Sequence, residues 1–152
     1  MKRYLAFAIV TLGLSSPGAA FALSCKLPRV DEKVVNAASI IFEGTAGPGR
    51  QLETSDIKAV ESQSTIHIGN RARHWRVYTF NVMRGWKGVT TGQHVQLASN
   101  AIFVPGEFYL VISRERIGEF FLSHVCEINV DLKFAADSGF LATLERLLGD
   151  PD

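Results

Sequence analysis

The chain of 152 residues carries 16 Lys and Arg against 15 Asp and Glu, a formal net charge of +1, and 47% of it is hydrophobic. That length suits one domain with a real core, and so even a charge balance gives no electrostatic reason to expect nucleic acid or an anionic membrane as the main partner. The two cysteines and four histidines fall in no C-x-x-C or H-x-x-x-H spacing, so no zinc-binding signature is present.

Lys2 and Arg3 form a short positive region, Leu5 to Leu14 run apolar without a charge, and Ser15 to Ser24 are small and helix-breaking. This is the pattern of an export signal. A membrane-spanning helix needs about 20 apolar residues, and this run stops near half that, at Ser15-Ser16-Pro17-Gly18. Residues 1–24 are therefore expected to be a signal peptide, cut after Ala22 or after Ser24. Ala20-Phe21-Ala22 is the better small-x-small match. A lipidated Cys25 would want Leu where Ala22 stands. Losing Lys2 and Arg3 takes the net charge from +1 to −1. Cys25 and Cys126 survive either cut, and an even count in an exported chain predicts a disulfide between them. Such a link, 101 positions long, would add at most about 4–5 kcal/mol.

In the mature part, Asp31 to Ala38 reads as a short helix capped by Asp31, with Val30, Val34 and Ala37 on one face. Ser39 to Ala46 is a strand that ends at the turn Gly47-Pro48-Gly49. Arg50 to Arg73 is polar and poor in pattern, which predicts a strand continuation and a long mobile loop. His74 to Arg84 is the clearest strand: Tyr78, Phe80 and Val82 face one way, Trp75, Val77 and Met83 the other. With apolar groups on both faces, this strand is expected to be central or strongly coiled.

Further strands are expected over His94–Ser99, with Val95 and Leu97 inward, over Phe108–Ser113, entered through Pro105-Gly106, and over Phe120–Val125. Asp137 to Leu148 reads as one amphipathic helix with Phe140, Leu141, Leu144 and Leu148 on its core face, stopped by Gly149-Asp150-Pro151. Short strands followed by a terminal helix suggest a small antiparallel barrel, although periodicity alone does not separate a barrel from a sandwich.

Cys25 after the signal, Ile41-Phe42-Glu43-Gly44-Thr45, Tyr78-Thr79-Phe80-Asn81-Val82 leading into Trp86-Lys87-Gly88, Gly106-Glu107-Phe108-Tyr109-Leu110-Val111, Cys126 and a Leu-rich final helix follow one another in a telling order. In that order the chain resembles the netrin-like OB-fold domains, especially the bacterial relatives of tissue inhibitors of metalloproteinases. The likeness covers nearly all of residues 25–152. It implies a mostly β fold: a small closed five-stranded antiparallel OB-like barrel with a short N-terminal helix and a C-terminal helix. The disulfide would pin the N-terminal segment to the barrel.

In the eukaryotic inhibitors the amine and carbonyl of a free N-terminal cysteine chelate the protease's zinc. The resemblance therefore makes Cys25 and Lys26 the candidate partner-binding residues. The family's Cys-x-Cys start is absent, since Lys26 and Leu27 follow Cys25, and so are the extra disulfides. Cleavage after Ala22 would also fix the Cys25 nitrogen in a peptide bond, where it has no lone pair for zinc.

No catalytic constellation stands out. His67, His74, His94 and His124 are scattered, and Glu43, Glu107 and Glu119 have no telling spacing. No G-x-S-x-G elbow or phosphate-cradling loop occurs. Arg71-Ala72-Arg73-His74-Trp75-Arg76 is basic with an aromatic inside, but reads as a solvated loop entering a strand rather than a strand-binding groove. Tyr78, Phe80 and Trp86 read as core and corner residues. The expectation is an exported domain, secreted or periplasmic, that binds a protein and is not an enzyme. It has no cofactor, no metal, no nucleic acid partner and no stable membrane span. The alternative is a structural envelope or surface protein without a dedicated ligand, with zinc-protease inhibition through Cys25 behind both.

Overall fold

The computed structural model describes residues 29–64, 68–124 and 127–152. The signal segment, Cys25, Lys26 and Cys126 lie outside the described residues, and with them the expected disulfide and cleavage sites.

The described chain is mostly β, a curled mixed sheet with short helices on its outside. Its strands are β1 (Ile40–Ala46), β2 (Arg50–Gln51), β3 (Arg76–Lys87), β4 (His94–Ser99), β5 (Phe108–Ser113), β6 (Glu115–Ile117), β7 (Phe120–Ser123) and β8 (Asn129–Asp131). They lie in the order β6-β7-β4-β3-β1-β5-β8, with β2 on β3. The sheet thus has eight strands where five were expected, because β2, β6 and β8 are additions of two or three residues. It is also not wholly antiparallel: β4 and β7 run parallel, Gln96 opposite Phe120 and Ser99 opposite Ser123.

The curl has a local cause. β3 is 12 residues long, and its pairing with β1 shifts register between Ile41 and Phe42 and again between Glu43 and Gly44. Such bulges sharpen the twist and bend a strand around a core. Gly44 permits the second shift, since a Cβ there would sit 2.6 Å from the Asn81 carbonyl oxygen.

Alternation along the strands divides the core in three. Ile40 and Phe42 of β1, Tyr78, Phe80 and Val82 of β3, Val95 and Leu97 of β4, and Tyr109 and Val111 of β5 fill the inside of the half-barrel. The opposite faces of β1 and β5 put Ile41, Leu110 and Ile112 outward, where helix α1 (Glu32–Ala37) and helices α3 (Leu132–Asp137) and α4 (Phe140–Leu148) cover them. Trp75, Val77, Ala98 and Leu122 form a third cluster under helix α2 (Thr54–Gln63). The inward face of β3 is buried at Tyr78, Phe80 and Val82, whereas its other face is covered at Val77 and exposed at Thr79, Asn81 and Met83.

Three expectations are corrected. Arg50 to Arg73 is no long loop: it holds β2, α2 and a 3-10 turn at Gly69–His74. Helix α2 starts where Asp56 Oδ2 accepts hydrogen bonds from the Glu53 N–H, at 2.9 Å, and from Arg50 Nη1, at 2.7 Å. The helix expected over Asp137–Leu148 begins only at Phe140, as α4, after Gly139 at φ +74°; a separate helix, α3, precedes it, and the inward residue near the end of α4 is Leu147 rather than the exposed Leu148. In α1 the covered residues are Val34 and Val35, with Val30 and Ala38 beside them, while Ala37 faces solvent. The α1 cap is as expected, with Asp31 Oδ1 accepting from the Val34 N–H at 2.9 Å. Among the described residues no helix is long and apolar enough to cross a membrane.

Candidate functional site

The histidines stand apart from one another. Exposed His74 takes a hydrogen bond from Arg73 Nε at 3.0 Å, His94 opens β4, and the His124 ring lies 6.5 Å from that of Trp75. His67 is outside the described residues, and among the described ones no group of three His, Cys, Asp or Glu is placed to hold a metal ion. Glu107 and Glu119 are exposed, whereas Glu43 is 3% exposed and ion-paired to Arg84 at 3.3 Å. Arg84 also reaches Glu145 of α4 at 3.2 Å and lies 5.0 Å over the Trp86 ring. Burial pushes the Glu43 carboxyl above its ordinary range, against the pull of Arg84 and with help from Glu145. Trp86 belongs to the outer cluster under α1, α3 and α4, and its buried Nε1 has no hydrogen-bond partner among the described residues.

The most distinctive surface is the mouth of the half-barrel, where the β4–β5 connection faces the β1–β2 turn. Ile102 is 86% exposed and Val104 54%, yet Phe103 between them is only 3% exposed. Phe103 turns inward as a plug. Its ring meets those of Tyr78 and Tyr109 edge-on at 4.9 Å and that of Phe80 at 5.1 Å. With the plug seated, its two apolar neighbours are held out in water.

Hydrogen bonds fix the connection at several points. The Val104 N–H donates to Tyr109 Oη at 2.9 Å, the Gly106 N–H to the Ala46 carbonyl at 2.7 Å, and the Ala46 N–H back to the Glu107 carbonyl at 3.1 Å. Pro105-Gly106 makes the turn, closed by the Glu107 N–H on the Val104 carbonyl at 3.2 Å, with Gly106 at φ +87° as the second central residue requires.

Facing this lip is Gly47-Pro48-Gly49. A Cβ on Gly49 would fall 2.6 Å from the Tyr78 ring, so the turn lies directly on the aromatic wall. Between lip and turn runs an open cleft of about 420 Å3 lined by Pro48, Gly49, Arg76, Tyr78, Ile102, Phe103 and Pro105. Arg76 is there because it continues the inward row of Tyr78, Phe80 and Val82 by one step, past the end of the packed core. Its Nη1 donates to the Gly49 carbonyl at 3.2 Å.

Sequence reading takes Arg76 as part of a solvated run and Pro105-Gly106 as a strand entrance. The available signal was Ile102-Phe103-Val104, an apolar triplet in a connection bounded by Asn100 and Pro105-Gly106, where polar residues are usual. No protein-family model matches the chain, and no curated protein does.

Proposed function

We propose that the chain is an exported, non-enzymatic binding domain of the netrin-like type that docks a protein partner at the mouth of its half-barrel. The observation that carries this reading is the pair Ile102 and Val104, apolar and exposed on a connection held by a buried plug and backbone hydrogen bonds. A backbone already held in place loses little entropy on binding, and burying one aliphatic side chain contributes about 1.5–3 kcal/mol.

The five longer strands support the barrel type. In space they run β7-β4-β3-β1-β5. One residue, Arg114, separates β5 from β6, which pairs back on β7, and the Ser113 hydroxyl donates to the Leu122 carbonyl between them. A partly open five-stranded OB barrel would close along this line. The signal segment supports a secreted or periplasmic location, with Cys25 and Cys126 joined there. Zinc chelation through Cys25 is the weaker mode, because Lys26 would bring an ammonium into the neighbouring pocket and desolvating it costs several kcal/mol unless it is paired.

The test is a photo-crosslinking residue at Ile102 in the protein as its own cell exports it, beside the same residue at exposed Lys58 on α2. A discrete protein adduct from position 102 and none from position 58 is the expected result. Equal backgrounds at both positions would overturn the proposal.

A further inference from the structure

We infer that the occupant of the mouth is a protein segment that presents an apolar side chain next to a carboxylate, with Arg76 reading the carboxylate. This rests on the docking reading above and goes beyond it by assigning the chemistry of the partner.

The cleft has two unlike halves. One wall is Ile102, Pro48 and Pro105 with the rings of Tyr78 and Phe103 at its floor, suited to an aliphatic or aromatic group. At the other stands the guanidinium of Arg76. One of its nitrogens donates to the Gly49 carbonyl, which tethers the exposed side chain at the cleft and leaves further N–H donors available. Among the described residues Arg76 makes no ion pair: Arg50 is taken by Asp56, and Arg84 by Glu43 and Glu145. Arg73, exposed in the turn that leads into β3, adds positive charge to the same end of the strand.

A planar, oriented guanidinium matches a carboxylate through two parallel hydrogen bonds, which a neutral amide cannot reproduce. A partner segment that covers the cleft excludes water from the pair, which lowers the effective dielectric constant there and strengthens the pairing. Arg76 therefore sets specificity, while Ile102 and the ring floor supply most of the contact.

The experiment uses the purified protein and two probes, acetyl-Gly-Leu-Asp-Gly-amide and its Asn counterpart, followed by the methyl resonances of Ile102 and Val104. The Asp peptide is expected to perturb these methyls and to bind about tenfold tighter than the Asn peptide. Arg76→Gln should equalise the two peptides while the Tm of the free protein stays within about 2 °C, and Arg76→Lys should keep part of the preference. Equal binding of both peptides, or a preference that survives Arg76→Gln, would overturn the inference. So would perturbation of the same methyls by phosphatidylglycerol-containing vesicles but by neither peptide, which would assign the mouth to a membrane surface. A protein adduct at position 102 with no peptide preference would leave the docking reading standing and remove only the carboxylate.

Discussion

Replacing Phe103 by Ala tests whether the mouth is built by its plug. Phe103 is 3% exposed and makes edge-on contacts with three rings at 4.9, 4.9 and 5.1 Å. Each such pair is worth about 0.5–1.5 kcal/mol beyond the area it buries, and loss of a buried Phe side chain costs about 3–5 kcal/mol in all. Here the lower part of that range is expected, since the plug sits in a connection and the lip can fall back over part of the cavity. For a domain of this size about 3 kcal/mol corresponds to a fall in Tm of roughly 6–12 °C.

The informative assay is thermal unfolding of Phe103→Ala beside Ile102→Asp. The second variant changes an exposed side chain and should leave Tm within about 2 °C while abolishing the crosslink from a probe moved to position 104. A Phe103→Ala protein with unchanged Tm would refute the packing argument. An Ile102→Asp protein as destabilised as Phe103→Ala would show that Ile102 is a core residue and no docking group.

Glu43→Gln should flatten the fall of stability with pH. Because burial raises the folded pKa, the native state holds its proton more tightly than the unfolded chain, so stability falls as pH rises through the range just above the ordinary carboxylate pKa. Glu127, raised by burial too, contributes the same sign and should leave a residual slope in the variant. Denaturant titrations across that range check this, and an unchanged slope would show that Glu43 ionises as freely when folded as when unfolded. Trp86→Phe should cost no more than about 1 kcal/mol, since it keeps a ring under Arg84 and removing an unpaired buried N–H offsets the packing lost with the smaller ring; a loss well above that in the same titrations would show that this offset is absent. Non-reducing mass spectrometry of exported protein should show Cys25 joined to Cys126, and labelling of both as free thiols would refute the pairing.

How far the fold is legible in the sequence differs from element to element. The inward row of Tyr78, Phe80 and Val82 is readable because alternation within one strand is a local signal. Helix α2 is not, because it buries only Val60 fully and its capping box is Glu53 with Asp56 in place of the usual Ser or Thr with Glu or Gln. The parallel pairing of β4 with β7 depends on partners far apart in the chain, and no residue pattern encodes its direction. Ile102 and Val104 are visibly apolar, yet their exposure follows from where Phe103 points, which only the ring cluster decides. Glu43 reads in the sequence as one carboxylate among several, since its partner Arg84 stands 41 positions away.

The pairing of β1 has a consequence for how the domain is completed in time. Ile40 lies opposite Ser113, and Gly85 exchanges backbone hydrogen bonds with Asp152. A chain delivered from its N-terminus therefore has β1, with Phe42 and Ile41, waiting without one of its two neighbours until β5 has followed. Ordering so many residues before distant contacts form makes folding slow, in the range of milliseconds to seconds for β topologies of this kind. Until then the unpaired edge of β1 is open to other chains. An escort that shields β1 during that interval should raise the yield of native protein, whereas speeding local hairpin formation between β3 and β4 should change it little.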